Sequence, residues 1–333
     1  MTVKQPRRLR LLGFKKFKKI SLLCLMTVAA VTYMYESENQ LEDFDPIRFL
    51  TIGNNDKPVG GAFPENIIPL EERRNDTIRT QYHEDANNYI YTFFSPLTTM
   101  TAGMTSNSHN KLLKAWEEAW QNAGWKTKVL TIEDAKIHKD FDLFNRVIAK
   151  NFPQTSEYDR LCFLRWLAMS TVGGGFMADY DTFPLEMKAQ EYINLPNDGN
   201  FTGFDRFVPA LASGSAEEWD RMAHELLNAI LSPDYSYFVH DMYALLYIRD
   251  NSPETLIFKG DVFSSIFYDI SGKVDCSRLE GKKAIHFSHA AIAETVKSGG
   301  VVGFNGNNIG EAIEQRWKIS QDFISKWRMK CHD

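Results

Sequence analysis

The sequence predicts an α/β protein with a mostly parallel sheet flanked by helices, and three observations support this fold class. Two strand-like stretches, residues 88–96 and 126–134, flank a helical stretch at 109–125, which is the order of a βαβ unit. A second helical stretch then leads into a short apolar strand within residues 156–178. The chain of 333 residues is 44% hydrophobic and 24% charged, as expected of a globular protein with a sizeable core.

Each element rests on its own pattern. The first strand, "NYIYTFFSP", is rich in aromatic residues and is stopped by Ser-Pro. The helix at 109–125 has apolar residues at helical spacing and ends at Gly124, and "KTKVLTIED" is the second strand. Ser215 is the predicted N-cap of a later helix, with Glu218 three residues on, as in a capping box. Further predicted elements are helices at 156–172, 215–231 and 309–327 and strands at 176–178 and 282–289.

Charge is distributed unevenly along the chain. Residues 1–19 contain eight lysines and arginines and no acid, so the net charge of −5 implies −13 for the remainder. So acidic a body argues against binding to nucleic acid, which depends on basic surfaces.

An uncharged, mostly apolar stretch follows at 20–35, and with its basic flank it predicts a signal anchor. The flank would stay cytosolic, which predicts a single-pass type II protein of the Golgi or endoplasmic reticulum membrane. Residues 1–19 would form a cytosolic tail, 36–85 a luminal stem and 86–333 the folded domain. A cleaved signal peptide and a buried helix are the alternatives.

The cysteines and two glycosylation sequons are compatible with a luminal domain. Cys276 and Cys331 lie in polar surroundings and are the plausible disulfide pair, whereas Cys162 lies in an apolar helical pattern as a buried thiol. Asn75 and Asn200 each begin an Asn-x-Thr sequon.

The stretch "GGGFMADYDTFPL" carries the main candidate site. Asp179 and Asp181 are two residues apart, so in an extended segment both carboxylates point to one side. Like charges this close repel unless a cation or proton compensates them, and a hard divalent ion would do so. The alternative is a solvated turn in which the glycines only end a helix.

These residues resemble the DXD glycosyltransferases of the α-mannosyltransferase and α-galactosyltransferase type. In that family an Asp, an Arg three residues later, and Gly-Gly-x-aromatic-x-Asp-x-Asp form the motif. Gly174, Gly175, Asp179 and Asp181 match it, and Arg165 matches the family arginine if one extra glycine is allowed.

The match departs from the family pattern at two positions. Cys162 stands where the family has the earlier Asp, so Asp159, one helical turn before, becomes the candidate for the nucleoside-binding acid. Met177 replaces the aromatic residue.

The resemblance implies a GT-A type domain that transfers a sugar from a nucleotide-sugar donor to a glycan or glycoconjugate acceptor, with retention of configuration. It implies that Mn²⁺ or Mg²⁺ bridges the diphosphate and the catalytic Asp179 and Asp181. Arg165 and Tyr180 are expected beside the donor, and Gly174 and Gly175 are expected to let the diphosphate approach the backbone.

The stretch "HFSH" supplies His286 and His289 at the end of a predicted strand. Enzymes of this type often use a late histidine as a metal ligand, and either residue is a candidate. The alternative is a pair of partly buried structural histidines.

Two acidic residues and three aromatic residues are candidates for contacts with the sugar or the acceptor. Asp205 or Asp241 could act as an acidic catalytic group, and Phe204, Phe207 and Trp219 could stack on sugar rings. Each could equally belong to the core or to the solvated surface.

Two other functions remain open. The aspartate pair resembles the Asp-x-Asp-x-Thr pattern of phosphohydrolases, in which the first Asp is the nucleophile. That pattern needs a long apolar strand before it and a late acidic motif, whereas three glycines precede this pair and "KGDVFSS" offers one acid. The other possibility is an inactive module that binds a nucleotide-sugar.

Overall fold

The computed structural model describes residues 88–97 and 104–331, which form two β-sheets and the helices packed on them. The strands are β1 (Tyr89–Phe93), β2 (Lys126–Leu130), β3 (Gly174–Ala178), β4 (Thr182–Pro184), β5 (Thr202–Gly203), β6 (Leu211–Ser215), β7 (Ile257–Phe258), β8 (Val262–Phe263) and β9 (Ala284–His286). The α-helices are α1 (Ser106–Asn122), α2 (Ile132–Lys136), α3 (Phe141–Asn151), α4 (Glu157–Thr171), α5 (Ala216–Leu231), α6 (Asp241–Asn251), α7 (Cys276–Leu279), α8 (His289–Lys297), α9 (Ile309–Glu314) and α10 (Arg316–Cys331).

The larger sheet has the order β2-β1-β3-β6-β5-β7. Strands β1, β2 and β3 run parallel, as predicted, whereas β6 is antiparallel to both β3 and β5. The protein is therefore an α/β fold with a parallel-rich mixed sheet. The smaller sheet has the order β4-β9-β8. Its strand β4 follows β3 in the chain and pairs antiparallel with β9.

Helices cover both faces of the larger sheet because successive side chains of its inner strands point to opposite sides. Ile90 and Phe176 are register partners and belong to the core that includes α1 and α10. Tyr91 and Met177 are the next pair and belong to the core formed with α3, α4 and α5. The chain passes from β1 to β2 and then returns past β1 to β3, so the order of the strands reverses here. In open α/β sheets, ligands bind beyond the carboxyl ends of the strands at such a point.

Three predicted boundaries were wrong, each for a local reason. Strand β2 ends at Leu130 because Thr131 caps α2 in a capping box with Asp134. The predicted strand at 282–289 ends at His286, and His289 is the first residue of α8, which Ser288 caps. The helix predicted at 309–327 is two helices that meet at residue 315.

The structure tests the predictions about the cysteines but not those about the N-terminal residues. The predicted disulfide between Cys276 and Cys331 is confirmed, and Cys162 is a buried free thiol. Within residues 88–97 and 104–331, no helix has the length and apolar character needed to cross a bilayer. The predicted tail, anchor, stem and Asn75 sequon lie outside the described residues.

Candidate active site at the carboxyl edge of the parallel strands

Asp179 and Asp181 follow β3 directly, at the carboxyl edge of the parallel strands. The turn between β3 and β4 is closed by the Thr182 N–H, which donates to the Asp179 carbonyl at 2.8 Å. Pairing of β4 with β9 sets Thr182 opposite His286, and the Phe287 N–H donates to the Asp181 carbonyl at 2.8 Å. The small sheet thus brings a histidine from more than 100 residues away beside the aspartate pair.

We call Asp179, Asp181 and His286 the sheet-edge cluster. One potential ligand atom from each lies within 4.8 Å of those of the other two, and Asp181 Oδ1 lies 3.3 Å from His286 Nε2. Asp181 and His286 are buried, and Asp179 is half-buried. The predicted proximity of these three side chains is therefore present in the structure.

Arg316, the first residue of α10, compensates the charge of Asp181. Its Nη1 donates to Asp181 Oδ2 at 2.7 Å and to the Phe287 carbonyl at 3.2 Å. The Arg316 residue is only 1% exposed, so this ion pair is shielded from water.

Arg165, from α4, compensates the charge of Asp179. Its Nη1 donates to Asp179 Oδ1 at 2.6 Å, while Nε and Nη2 both donate to Asp241 Oδ2, at 2.9 and 2.6 Å. Trp166 Nε1 donates to the same Asp241 oxygen at 3.0 Å. Arg165 therefore orients Asp179.

The two aspartates differ in their tendency to ionise. Burial opposes the charge of Asp181, but His286 and Arg316 outweigh it and hold the pKa of Asp181 well below its usual range. Burial raises the pKa of Asp179, because Arg165 offsets it only in part. Burial also opposes the charge of His286, but Asp181 outweighs it and raises the pKa of His286.

Tyr180 lies between the two aspartates in sequence and points toward the core that includes α1. Its hydroxyl lies 3.2 Å from His109 Nδ1, and its ring contacts Phe94 edge-on at 5.6 Å. The Arg316 guanidinium lies 5.8 Å from the ring centroid. Burial raises the pKa of Tyr180 to about 12. Contact with Phe94, just after β1, shows that the ends of β1 and β3 meet here.

The glycines have a different role from the one predicted. Gly174 and Gly175 begin β3, a strand of five residues, whereas the aspartates follow its other end. A Cβ on Gly174 would come within 2.6 Å of backbone atoms of Gly214 and Ser215, and its φ is +76°. The space beside Gly174 is thus filled by β6 and the start of α5. The prediction that this glycine pair admits a diphosphate was wrong.

Asp159 does not contact the sheet-edge cluster directly. Ser156 caps α4 by accepting from the Asp159 N–H at 3.1 Å, and its hydroxyl donates to Asp159 Oδ2 at 2.5 Å. His240 Nε2 lies 4.0 Å from Asp159 Oδ1, and His240 Nδ1 lies 2.9 Å from Asp241 Oδ1. Cys162 joins the same group, with a ligand atom within 4.8 Å of those of His240 and Asp241. Asp159 is therefore linked to Asp179 through His240, Asp241 and Arg165.

Several other candidates are internal. Asp241 is fully buried among Arg165, Trp166 and His240, so the prediction that it faces the sugar was wrong. Asp205 is buried and accepts from Ser264 Oγ at 2.7 Å, and burial raises its pKa.

The predicted sugar-stacking residues differ in burial, and His289 lies near Asp181. Phe204 and Trp219 are buried in the cores, so neither can stack on a sugar, and Phe207 is half-buried. His289 lies close enough to Asp181 for its charge to act on the carboxylate.

The chemistry of the donor set fits a divalent cation. Ligand atoms that are each about 2.1 Å from one ion lie roughly 3 Å apart at a right angle, and Asp181 Oδ1 and His286 Nε2 are 3.3 Å apart. Carboxylates suit Mg²⁺ and Mn²⁺, whereas an imidazole suits Zn²⁺ and Fe²⁺, so the set is compatible with several divalent ions. Asp179, Asp181 and His286 are the residues that would hold the ion.

Arg316 is the main residue that the sequence analysis missed. Ala312, Arg316, Ile319 and Phe323 follow one another at helical spacing and are all buried. An arginine in the apolar register of an amphipathic helix is a signal for a buried ion pair. Arg165 occupies the same kind of position in α4, four residues after Leu161.

Comparisons with known proteins give a family and one structural likeness. No curated protein matches the chain. Among solved structures, a glycosyltransferase involved in the glycosylation of the major capsid of PBCV-1 is 11% identical, with a TM-score of 0.33. The match covers 68% of this chain and 98% of that one, and a likeness this weak carries no argument about activity. Residues 82–291, more than half of the chain, match the model of a family described as a domain of unknown function, and the chain therefore belongs to that family, DUF8765.

Proposed function

We propose that this chain is a metal-dependent glycosyltransferase of the secretory pathway. It would move a sugar from a nucleotide-sugar donor to a glycan or glycoconjugate acceptor, with retention of configuration. The observation that carries the proposal is the sheet-edge cluster, in which two carboxylates and an imidazole meet at the carboxyl edge of parallel strands. The Asp-x-Asp spacing within it supports the same function.

The side chains around the cluster would prepare it for an anionic donor. His286 and Arg316 keep Asp181 ionised, so its oxygens remain available as ligands. Arg165, fixed by Asp241, orients Asp179. Because fixed hydrogen bonds hold both carboxylates, little reorganisation would be needed at the moment of reaction.

The charges of the site leave room for a cation. The carboxylates of Asp179, Asp181 and Asp241 face two guanidinium groups, those of Arg165 and Arg316. Formally, one negative charge remains while His286 is neutral, and a metal bound at Nε2 would keep it neutral by displacing its proton. A bound divalent ion would supply the positive charge that a departing nucleoside diphosphate requires.

The phosphohydrolase alternative has weak support. The fifth position of the Asp-x-Asp-x-Thr pattern is Phe183 here, which is buried in the core, and the threonine stands one residue earlier. Asp179, which would be the nucleophile, is paired with Arg165 at 2.6 Å.

The test is hydrolysis of a panel of nucleotide-sugars by the full chain, with and without Mn²⁺. We expect release of sugar and nucleoside diphosphate that requires Mn²⁺ and that falls by about 1000-fold in Asp181→Asn, since loss of the metal removes several kcal/mol of transition-state stabilisation. Asp220→Asn, which removes a carboxylate charge outside the site, is the matched control.

Three results would contradict the proposal. Release of phosphate from simple monoesters without turnover of any nucleotide-sugar would indicate a phosphohydrolase. Mn²⁺-dependent binding of a nucleoside diphosphate without turnover would indicate an inactive module. Equal loss of turnover in Asp220→Asn would show that general destabilisation, rather than the sheet-edge cluster, explains the effect of Asp181→Asn.

A further inference from the structure

A run of aromatic rings leads away from the candidate site along the surface. It begins at Tyr158 in the first turn of α4, continues through His240 at the start of α6, and reaches the loop between α5 and α6. Successive ring centroids are 5.7–6.4 Å apart, in the order Tyr158, His240, Tyr243, Tyr237 and Tyr235.

The run is continuous with the sheet-edge cluster. Tyr158 is close enough to Asp179 and Arg165 for their charges to act on its hydroxyl. His240 contacts Asp241, which in turn fixes Arg165. The run of rings therefore reaches the side chains that orient Asp179.

Part of the aromatic cluster serves to hold the loop in place. The Tyr235 hydroxyl donates to the Phe238 carbonyl at 2.7 Å, and the Tyr247 and Ser232 hydroxyls are 2.8 Å apart. These contacts do not account for the two most exposed rings. Tyr158 is 50% exposed and Phe238 is 59% exposed. Anchoring the loop does not require rings that are this exposed to water.

The chemistry of the run suits sugars. The hydroxyls of Tyr237 and Tyr243 are protonated at neutral pH, so they can donate to a ligand. A pyranose ring has apolar C–H faces that stack on aromatic rings and hydroxyls that bond to polar tips, and tyrosine offers both. A nucleoside has a single base, which a run of five rings exceeds. The acidic body of the chain disfavours a nucleic acid strand.

We propose that this aromatic run, from Tyr158 to Tyr235, together with Phe238 in the same loop, is the surface that binds the acceptor, and that the acceptor is a chain of several sugars. The inference rests on the proposed function, because the acceptor is defined by the transfer reaction. It identifies the substrate class as an oligosaccharide that extends from Asp179 across α4 and the loop before α6.

The experiment measures binding of the labelled full chain to an array of defined oligomannose, N-linked and O-linked oligosaccharides. Phe238→Ser removes the most exposed ring, and Tyr237→Ser removes a ring within the run. The control is Ile270→Ser, which removes an apolar side chain that is 83% exposed outside the run. Thermal unfolding of each variant establishes that it is folded.

We expect the wild type to bind at least one oligosaccharide longer than a disaccharide, and Phe238→Ser and Tyr237→Ser each to weaken this binding by about 10-fold or more. Ile270→Ser should bind as the wild type does. Absence of glycan binding by the wild type, or equal binding by folded Phe238→Ser and Tyr237→Ser, would overturn the inference.

Turnover of nucleotide-sugars by the wild type separates this inference from the proposed function. Glycan binding that depends on Phe238, without any turnover, would leave the surface standing and reject the transferase. Turnover without glycan binding would reject the surface and leave the transferase standing.

Discussion

The sheet-edge cluster and a second group, the helix cluster, contain the same kinds of side chain in different surroundings. The helix cluster consists of His138, Asp140, Asp220 and His224. It joins the segment between α2 and α3 to one face of α5, and potential ligand atoms of its first three members also lie within 4.8 Å of one another. Proximity of ligand atoms alone therefore does not distinguish the two clusters.

In the helix cluster, both histidines are engaged by oxygen or nitrogen atoms of the protein. His138 Nδ1 accepts from the Asp140 N–H at 3.1 Å, so the ring proton sits on Nε2, which lies 2.9 Å from Asp220 Oδ1. A metal at that nitrogen would have to displace this proton, as it would at His286 Nε2, which faces Asp181 Oδ1 at 3.3 Å. His224 places Nδ1 2.8 Å from the Asp220 carbonyl and Nε2 3.1 Å from Asp140 Oδ2, so both nitrogens face oxygen acceptors. The helix cluster is a network that holds protons.

In the sheet-edge cluster, arginines outside the cluster compensate the charges of the carboxylates. Its carboxylates are paired with guanidinium groups from α4 and α10, elements that are far apart in the chain. Because these arginines are fixed, the ionised carboxylate of Asp181 remains beside the imidazole of His286. We infer that the fixed arginines beside the sheet-edge cluster, more than its composition, are what would let a metal replace the proton there.

The largest expected effect of a single change is that of Arg316→Met. It leaves the buried Asp181 carboxylate without its guanidinium partner and with His286 as its remaining partner, and breaking a buried ion pair typically costs about 3–5 kcal/mol of unfolding free energy. Denaturation in guanidinium chloride measures it. Adding Asp181→Asn to Arg316→Met should recover part of the loss, because the unpaired charge is then gone. A loss below about 1 kcal/mol would break the distinction between the clusters, since such a value is typical of exposed ion pairs.

Arg316 also illustrates what the sequence could and could not predict. The strand-helix-strand order predicted the parallel core, and the spacing of Asp179 and Asp181 predicted two carboxylates on one side of the chain. The proximity of His286 depends on the pairing of β4 with β9, and that of Arg316 on how α10 packs. Both are contacts between residues more than 100 positions apart, which local patterns do not encode.

The glycines show the opposite failure, in which a local pattern had more than one physical explanation. A run of Gly residues before a strand is compatible with a ligand and with close packing of another backbone. Gly174 has backbone of β6 beside it, which only the tertiary structure could reveal. Likewise, Asp241 follows a loop in sequence, yet it is buried because α6 packs on α4.

A smaller effect should separate the clusters by their affinity for Mn²⁺. Loss of a ligand in His286→Gln should weaken binding at least 10-fold, because even residues that only support a ligand are worth about 10–100-fold in affinity. His138→Gln, the matched change in the helix cluster, should leave the affinity within about two-fold. Electron paramagnetic resonance of free Mn²⁺ measures both. Weaker binding in His138→Gln alone would reverse our assignment of metal and proton to the two clusters.

The smallest expected effect is on the pH dependence of stability, and it concerns Asp220 in the helix cluster. Burial opposes the charge of Asp220, but the hydrogen bond from His138 and the charge of His224 outweigh it and lower its pKa. A carboxyl whose pKa is lower in the folded than in the unfolded chain stabilises the fold above its unfolded value of about 3.9. This contribution is lost as the pH falls through the folded value.

Asp220→Asn should therefore cost about 1 kcal/mol at pH 7, and the difference from the wild type should shrink below about pH 4. Urea denaturation between pH 7 and pH 3 measures it. A difference that stays constant over this range would mean that Asp220 stabilises the fold by packing alone, and the helix cluster would then no longer count as a proton-holding network.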